Sequence, residues 1–136
     1  MIAYLRGKVL TTTLETVILD VGGVGYEIYC SRGAFRKAIV GEMAELHTYL
    51  QVKEDGMTLF GFESAREKEM FLKLISVPNV GPKMGIAVFG ALSVDEFATA
   101  IATADVKRLS TVKGLGKKTA ERLCLICTVK FPRRRF

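Results

Sequence analysis

Residues 109–123 read LSTVKGLGKKTAERL, and this stretch decides how the second half of the chain is expected to fold. An apolar residue, a spacer and a glycine-apolar-glycine corner make the h-x-G-h-G pattern of a helix-hairpin-helix, here Val112, Gly114, Leu115 and Gly116. The two glycines permit a sharp turn with backbone dihedrals that a Cβ disfavours. The helix that follows begins with N–H groups that have no partner within the helix.

A phosphate group can bind at such a corner. Lys117, Lys118 and Arg122 supply positive charge beside the free N–H groups, so the site can hold a nucleic-acid backbone without reading a base. A Gly-x-Gly pair by itself is also produced by an ordinary helix C-cap followed by a turn. One copy of the pattern therefore does not separate the two interpretations.

A second copy of the pattern lies thirty-five positions upstream, where residues 74–89 read LISVPNVGPKMGIAVF. Asn79 takes the place of the first glycine, and asparagine is one of the few residues that tolerate a left-handed backbone. Pro82 falls where a first helical residue is expected, a position that needs no N–H partner. Two hairpins at a fixed separation form an internal repeat, which predicts a duplicated structural unit.

Composition and charge limit the class of protein. The 136 residues are enough for one domain or two small ones, and 49% of them are hydrophobic. We see no run of about twenty apolar residues and no signal-peptide core, and three cysteines without framework spacing suit a reducing compartment, so we expect a cytoplasmic protein without a membrane segment. Residues 1–62 carry six basic and seven acidic side chains, whereas residues 63–136 carry fourteen and seven. The repeat half therefore carries the positive field expected of a phosphate-binding module.

The first half predicts a small β-barrel. Strand-like segments are expected at residues 4–11, 16–21, 25–30, 44–52 and 57–62, and Gly22-Gly23 supplies a turn. Residues 32–39 lie between the third and fourth strands and have a helical pattern. Five strands with a helix after the third are the order of an OB-fold, which frequently binds nucleic acid. The fold class is thus α+β, an OB-fold barrel followed by an all-α tandem of hairpins.

The turn between the last two predicted strands is acidic. Lys53, Glu54 and Asp55 precede Gly56, and Asp-Gly is a strong hairpin signal. The simplest interpretation is a solvated turn. A second is that two carboxylates on a protruding tip repel phosphates and so shape DNA. A third is a metal-dependent nuclease, but adjacent carboxylates on a turn make a poor metal cage, and His47 is the only histidine.

The second half predicts helices with defined starts. Ser64 with Glu67, and Ser93 with Glu96, form capping boxes, and Asp105 is a third N-cap. Later positions are expected to fill the core of this half, namely Phe71, Phe89, Phe97, Ala120, Leu123, Cys124, Cys127 and Val129. Cys124 and Cys127 have core spacing and lack a second Cys or His pair, so we expect no metal site. A terminal basic run, Arg133 to Arg135, can contact DNA but is more simply a solvated tail.

Six runs occur in order along the chain: LRG at residues 5–7, VGGVGY at 21–26, ED at 54–55, LFGF at 59–62, VGPK at 80–83 and GLGKKTAERL at 114–123. Together they resemble the RuvA family, the bacterial subunit that binds Holliday junctions. The resemblance implies two domains, 1–62 with an OB-fold and an acidic pin, and 63–136 with tandem hairpins. It also implies a homotetramer, or an octamer of two tetramers, that holds four-way junction DNA open and flat during recombination and repair.

The resemblance assigns site residues by position. The hairpins are implied to bind the DNA backbone in the minor groove, through Asn79, Val80, Gly81 and Lys83 in the first and Gly114, Gly116, Lys117, Lys118 and Arg122 in the second. The pin falls on Glu54 and Asp55, and Lys53 beside it can hold nearby phosphate. In a tetramer four pins meet at the crossover, where their charge repels phosphates.

The resemblance further implies a subunit with no catalysis and no cofactor, working with the hexameric ATPase RuvB and the resolvase RuvC. Family members carry a flexible linker and a small third helical domain that contacts the motor. We expect that domain to be absent from these 136 residues, which leaves contact with the motor open. Two alternatives remain at this point: a junction nuclease that uses the same hairpins, and a general DNA-repair accessory module without junction preference.

Overall fold

The structure is a computed structural model that describes residues 1–130, and of residues 128–130 the backbone alone. The strands are β1 Tyr4–Thr12, β2 Thr16–Val21, β3 Val24–Cys30, β4 Met43–Lys53 and β5 Gly56–Phe62. The helices are α1 Arg32–Lys37, α2 Ala65–Ile75, α3 Pro82–Ala91, α4 Val94–Ala102, α5 Val106–Leu109 and α6 Lys117–Lys130. Each predicted strand is confirmed to within one residue at either end.

The five strands close into a barrel in the order β1-β2-β3-β5-β4. Neighbouring strands are antiparallel except β3 and β5, which run parallel because α1 connects β3 to β4 across one end. Alternate residues of each strand point inward, and Val9, Val17, Leu19, Ile28 and Leu46 are fully buried there. This strand order is that of the predicted OB-fold, so the fold class is confirmed.

Two tight turns of the barrel form at the residues that the sequence indicated. Gly22 and Gly23 both have positive φ, 62° and 93°, and form the predicted two-residue turn between β2 and β3. In the β4–β5 turn, Lys53 pairs with Gly56, so the predicted tip of residues 53–56 forms the turn and its two central residues are Glu54 and Asp55. Neither acid has positive φ. Both carboxylates therefore lie at the apex of the turn.

The chain divides into two compact units, Met1–Glu69 and a second that begins at Met70, seven residues later than the predicted boundary. Glu67 lies near the start of α2, and its side chain is only 2% exposed. Its Oε1 accepts hydrogen bonds from the Ser31 hydroxyl at 2.5 Å and from the Glu63 N–H at 3.0 Å. The start of α2 is thus bonded to the barrel unit. The Ser64 hydroxyl accepts a hydrogen bond from the Glu67 N–H, as predicted. In a capping box the Glu67 carboxylate would accept from the Ser64 N–H, but here it accepts from Ser31 and from the Glu63 N–H.

The second unit is helical and its predicted caps form. Ser93 and Glu96 make a complete capping box, and the Asp105 carboxylate accepts from the Arg108 N–H. The predicted core positions are buried: the side chains of Phe71, Phe89 and Phe97 are fully buried. Cys124 is 7% exposed and Cys127 is fully buried, so their assignment to the core is also confirmed. The side chain of Val129 and residues 133–135 lie outside the described part. Among the described helices, no single one is long and apolar enough to cross a membrane.

Candidate nucleic-acid interface

The two predicted hairpins have the same backbone, bond for bond. In the first, the N–H groups of Val77, Val80 and Gly85 donate to the carbonyls of Leu74, Val77 and Gly81 at 3.1, 3.1 and 3.0 Å. In the second, the N–H groups of Val112, Leu115 and Ala120 donate to the carbonyls of Leu109, Val112 and Gly116 at 3.1, 3.0 and 2.9 Å. Every donor and acceptor is thirty-five positions from its counterpart. The internal repeat read from the sequence is therefore a structural repeat.

The corner of each hairpin is a residue in the left-handed region. Gly114 has φ 88°, and Asn79 at the equivalent position has φ 70°. The prediction that asparagine replaces glycine without loss of the turn is confirmed. Asparagine is strained in this conformation and glycine is not, because the asparagine Cβ approaches the following carbonyl oxygen.

The second glycine of each hairpin has a different explanation. Gly81 has an ordinary extended conformation, with φ −90° and ψ 173°, and a Cβ placed on Gly81 or on Gly116 would meet no atom within 4 Å. Both residues are exposed. Nothing among the described residues requires a glycine at either site. A bare backbone at the start of a helix is what close approach of another molecule's backbone requires.

The starts of α3 and α6 contrast with those of other helices in the chain. Ser31, Ser93 and Asp105 each cap a helix with a side-chain oxygen that accepts a backbone N–H. Gly81 provides no side-chain cap, and Gly116 has no side chain to offer. The first N–H groups of α3 and α6 are thus exposed donors beside exposed lysines.

The predicted cations lie where they can reach a ligand at these corners. Lys83 is exposed on the first turn of α3, and Lys117 and Lys118 are exposed on the first turn of α6. Arg122 is exposed and lies four residues after Lys118, hence on the same face of α6. Sequence reasoning missed Lys113, which is exposed within the second turn, between Val112 and Gly114. Its position as the spacer of the h-x-G pattern was the available clue.

The side chain of Val80 is buried at the first corner. The resemblance implied that it contacts DNA, but its side chain is 4% exposed and its N–H donates to the Val77 carbonyl. Leu115 at the equivalent position is 3% exposed and bonded in the same way. These two side chains fill the space behind the corner. Their role is to hold the turn, since neither side chain is available to a ligand.

The acidic tip lies at the end of the β4–β5 hairpin in the barrel unit. Lys53, Glu54 and Asp55 are all exposed. No group of three His, Cys, Asp or Glu side chains with the geometry of a metal site occurs in the part of the chain that the structure describes. The two carboxylates at the tip are therefore a source of negative charge without a third ligand beside them.

Cysteine chemistry does not belong to this interface. Burial raises the pKa of the Cys30 thiol to about 12, and burial also raises the pKa of Cys124. All three cysteines are buried, and none of them is in a disulfide bond. A thiol whose pKa is raised by burial is a poor nucleophile at neutral pH, because the thiolate is the reactive form.

Comparisons with known proteins agree with this arrangement. The model of the RuvA N terminal domain matches residues 1–61, and the model of the SAM-like helix-hairpin-helix tandem matches residues 71–127. The chain is similar to proteins named "Holliday junction branch migration complex subunit RuvA". It is 45% identical to the one from Deinococcus radiodurans over 132 residues, 97% of this chain and 66% of that protein. For the relatives from a Nocardioides species and Chromobacterium violaceum, the identities are 44% and 43%, each over 92% of this chain.

This chain spans slightly less than two thirds of the length of these relatives, between 62% and 66% for the three proteins described. The two matching family models follow each other in the same order as the barrel unit and the helical unit. The alignments cover 92–97% of this chain, and so include residues of both units, at an overall identity of 43–45%. The chain belongs to the RuvA family.

Proposed function

We propose that this chain binds four-way DNA junctions, without cutting them, as the DNA-binding subunit of a branch migration complex. The two hairpins hold the sugar-phosphate backbone of the arms, and the acidic tip lies at the crossover. The observation that carries the proposal is the duplicated corner with a bare glycine at the start of its helix. Two such sites on one unit can contact two points along a duplex and need no base-specific group.

The charges of the hairpins and of the acidic tip support different roles for these two sites. Lys83, Lys117, Lys118 and Arg122 face solvent at the hairpins, whereas Glu54 and Asp55 face solvent at the tip. Phosphates are attracted to the first set and repelled by the second. A single tip would repel weakly in salt. We therefore propose a homotetramer, in which four tips meet at the crossover, and its sandwich of two tetramers as the larger assembly.

We further propose that the subunit works with the ATPase RuvB, which supplies the motor, and with the resolvase RuvC, in the cytoplasm during recombination and repair. The relatives' name, which refers to a complex, supports this assignment.

A binding comparison tests the proposal. A labelled four-way junction and a linear duplex with the same arm sequences are titrated with the full chain at moderate salt. We expect clearly tighter binding to the junction, and equal affinity would contradict the proposal in favour of a general DNA-binding module. Incubation of the labelled junction with magnesium should leave the strands intact, and specific cleavage would support the nuclease alternative.

A pair of glycine variants tests the hairpins directly. Gly81→Ser and Gly116→Ser together should leave the free energy of unfolding unchanged or higher, since serine is a favoured N-cap. They should weaken junction binding at least about tenfold, because each hydroxymethyl group occupies the phosphate's place and takes its N–H donor. Gly90→Ser is the matched control: it adds the same group to an exposed, open glycine near the far end of α3. Equal loss of affinity in the control would remove the hairpins from the contact surface.

A further inference from the structure

The β4–β5 hairpin projects beyond the rest of the barrel. β1 pairs with β4 between Met43 and His47, and β3 pairs with β5 between Leu59 and Gly61. From Gln51 to Thr58 the two strands pair with each other beyond the residues that pair with β1 or β3. The acidic tip is therefore the end of a two-stranded ribbon, and the side chains on both faces of that ribbon can meet a ligand.

One face of this ribbon is apolar next to the tip. Val52 and Met57 are directly opposite each other across the two strands, so their side chains lie on the same face. They are 67% and 71% exposed. Two residues further from the tip, Leu50 and Leu59 form the next pair on that face and pack into the barrel core. The apolar row that fills the barrel thus continues outward into solvent for one more pair.

We propose that Val52 and Met57 form an apolar wedge that contacts the faces of the base pairs at the junction crossover. The proposal rests on the function proposed above, which puts the tip at the crossover. Glu54 and Asp55 follow Val52 within three residues and repel phosphates, so the group that meets this face is not the sugar-phosphate backbone. Base faces are apolar, and they become accessible where stacking is interrupted, as it is where four arms meet.

Methionine and branched aliphatic side chains are suited to this contact. Proteins that unstack DNA insert such side chains between base steps, and the contact offsets part of the unstacking cost. A second copy of this chain is a poorer occupant. In the proposed tetramer the four tips approach the crossover with DNA between them, whereas direct contact between two ribbons would put two Glu54–Asp55 pairs side by side without DNA, and like charges at a contact oppose association. The ribbon therefore combines a repulsive end for phosphates with an attractive side for bases.

A fluorescent base at the crossover tests the wedge. Junctions carry 2-aminopurine either at the crossover or in the middle of an arm, and the full chain is added at saturating concentration. The double variant Val52→Thr, Met57→Gln keeps side-chain size and strand pairing while removing the apolar surface. The matched control is Val24→Thr, Met43→Gln, which makes the same two changes at exposed strand positions elsewhere on the barrel.

We expect wild-type protein to raise the fluorescence of the crossover base and not that of the arm base. The wedge variant should lose about half of that rise or more, while its affinity for the junction changes by no more than about threefold, because the phosphate contacts remain. The control variant should behave as wild type. Each single variant is measured as well, so that a folding defect in the double variant does not decide the result.

Three outcomes overturn the proposal in distinguishable ways. A full fluorescence rise in the wedge variant, with junction preference intact, removes the wedge and leaves the proposed function standing. A change in the mass of the DNA-free particle in the wedge variant shows that Val52 and Met57 contact a second copy of the chain. Absence of junction preference in the wild type contradicts the proposed function, and the wedge with it.

Discussion

The two hairpins of the helical unit share a backbone and differ in chemistry. Their hydrogen bonds coincide at an offset of thirty-five positions, and both corners are left-handed. The first hairpin has Asn79 at the corner and Pro82 at the start of its helix, where the second has Gly114 and Lys117. Lys83 and Lys118 occupy equivalent positions, whereas Lys113 and Lys117 have the uncharged counterparts Pro78 and Pro82.

The comparison shows that the residues that form the turn are not the residues that can bind a ligand there. Buried Val77 and Val80, like Val112 and Leu115, fix the corner regardless of charge. The second hairpin then offers more lysines and one more helical N–H than the first, because proline lacks that donor. We expect the second hairpin to contribute more of the affinity for DNA, although the two turns are equivalent in shape.

The largest expected effect is on the salt dependence of junction binding. Replacing Lys117 and Lys118 with alanine should flatten the slope of log affinity against log salt by about 1.8 per chain, against about 0.9 for Lys83→Ala. Affinity at low salt should fall in the same order. Fluorescence anisotropy titrations over a range of salt concentrations measure both quantities. Lys8→Ala, which removes an exposed charge from β1, is the control and should leave the slope unchanged.

Equal slopes for the two hairpin variants would break the comparison, because they would mean that Lys117 does not contact phosphate. A slope unchanged by either variant would remove these lysines from the interface altogether. Neither result would alter the description of the turns themselves, which depends on buried side chains and backbone bonds.

The second effect is on stability at the corners. Gly114→Ala should lower the free energy of unfolding by about 1–2 kcal/mol, since a Cβ is strained at φ 88°. Gly114→Asn, which copies the first hairpin, should cost clearly less. Urea denaturation measures both, and Gly90→Ala within α3 should have the opposite sign because alanine favours a helix. Equal costs for alanine and asparagine would show that the corners are not equivalent.

A smaller effect, on pH dependence, separates the barrel unit from both hairpins. Burial is the main cause that raises the pKa of Glu67 above its ordinary value of 4.5, and the negative charge of Glu63 raises it further. The hydrogen bonds from Ser31 and from the Glu63 N–H, and the charge of Arg32, lower the pKa by less than burial raises it. The native state then holds this proton more tightly than the unfolded state. Stability is therefore lost as pH rises from about 4.5 through the raised native value.

Glu67→Gln should remove that loss, since the glutamine oxygen can still accept from Ser31 and from the Glu63 N–H. Thermal unfolding measured from pH 4.5 upward should be flatter in the variant, and junction binding should be unaffected. Glu42→Gln, at an exposed position, is the control. A variant whose stability follows pH as steeply as the wild type would show that Glu67 is not the responsible group.

The smallest effect concerns a cation that lies near the second hairpin and already has a protein partner. Arg108 contacts Glu96 at 2.7 Å, and their side chains are 42% and 36% exposed. Exposed ion pairs contribute little, so Arg108→Met should lower the free energy of unfolding by less than about 1 kcal/mol. The salt slope of junction binding should be unchanged. A flatter slope would mean that Arg108 leaves Glu96 for a phosphate and that the second hairpin is larger than described.

Much of the fold was predictable because its determinants are local. Short strand-like segments located all five strands to within a residue, and Ser93 with Glu96 marked the start of α4. The attachment of the start of α2 to the barrel unit was not predictable in this way. It depends on the Glu67 carboxylate, whose hydroxyl donor Ser31 lies thirty-six positions away in the chain. A contact at that separation leaves no periodic trace in the sequence.

The site was predictable where residue type alone decides it. Asn79 was expected to tolerate a left-handed corner and does so. Val80 was assigned to the interface by position, but an apolar residue in a turn contributes to the core or to the surface according to the packing behind it. The exposed pair Val52 and Met57 continued a core pattern, so the sequence could not show where the barrel stops. The remaining site residues stay predictions.

The bare glycines at the starts of α3 and α6 also affect the energetics of the free protein. Water satisfies the donors that serine or aspartate satisfies at the other capped helices. DNA that takes the place of this water binds the folded state and not the unfolded one, so it raises the melting temperature by mass action. Under the proposed function, nucleic acid supplies the two helix caps that the sequence of the helical unit leaves out.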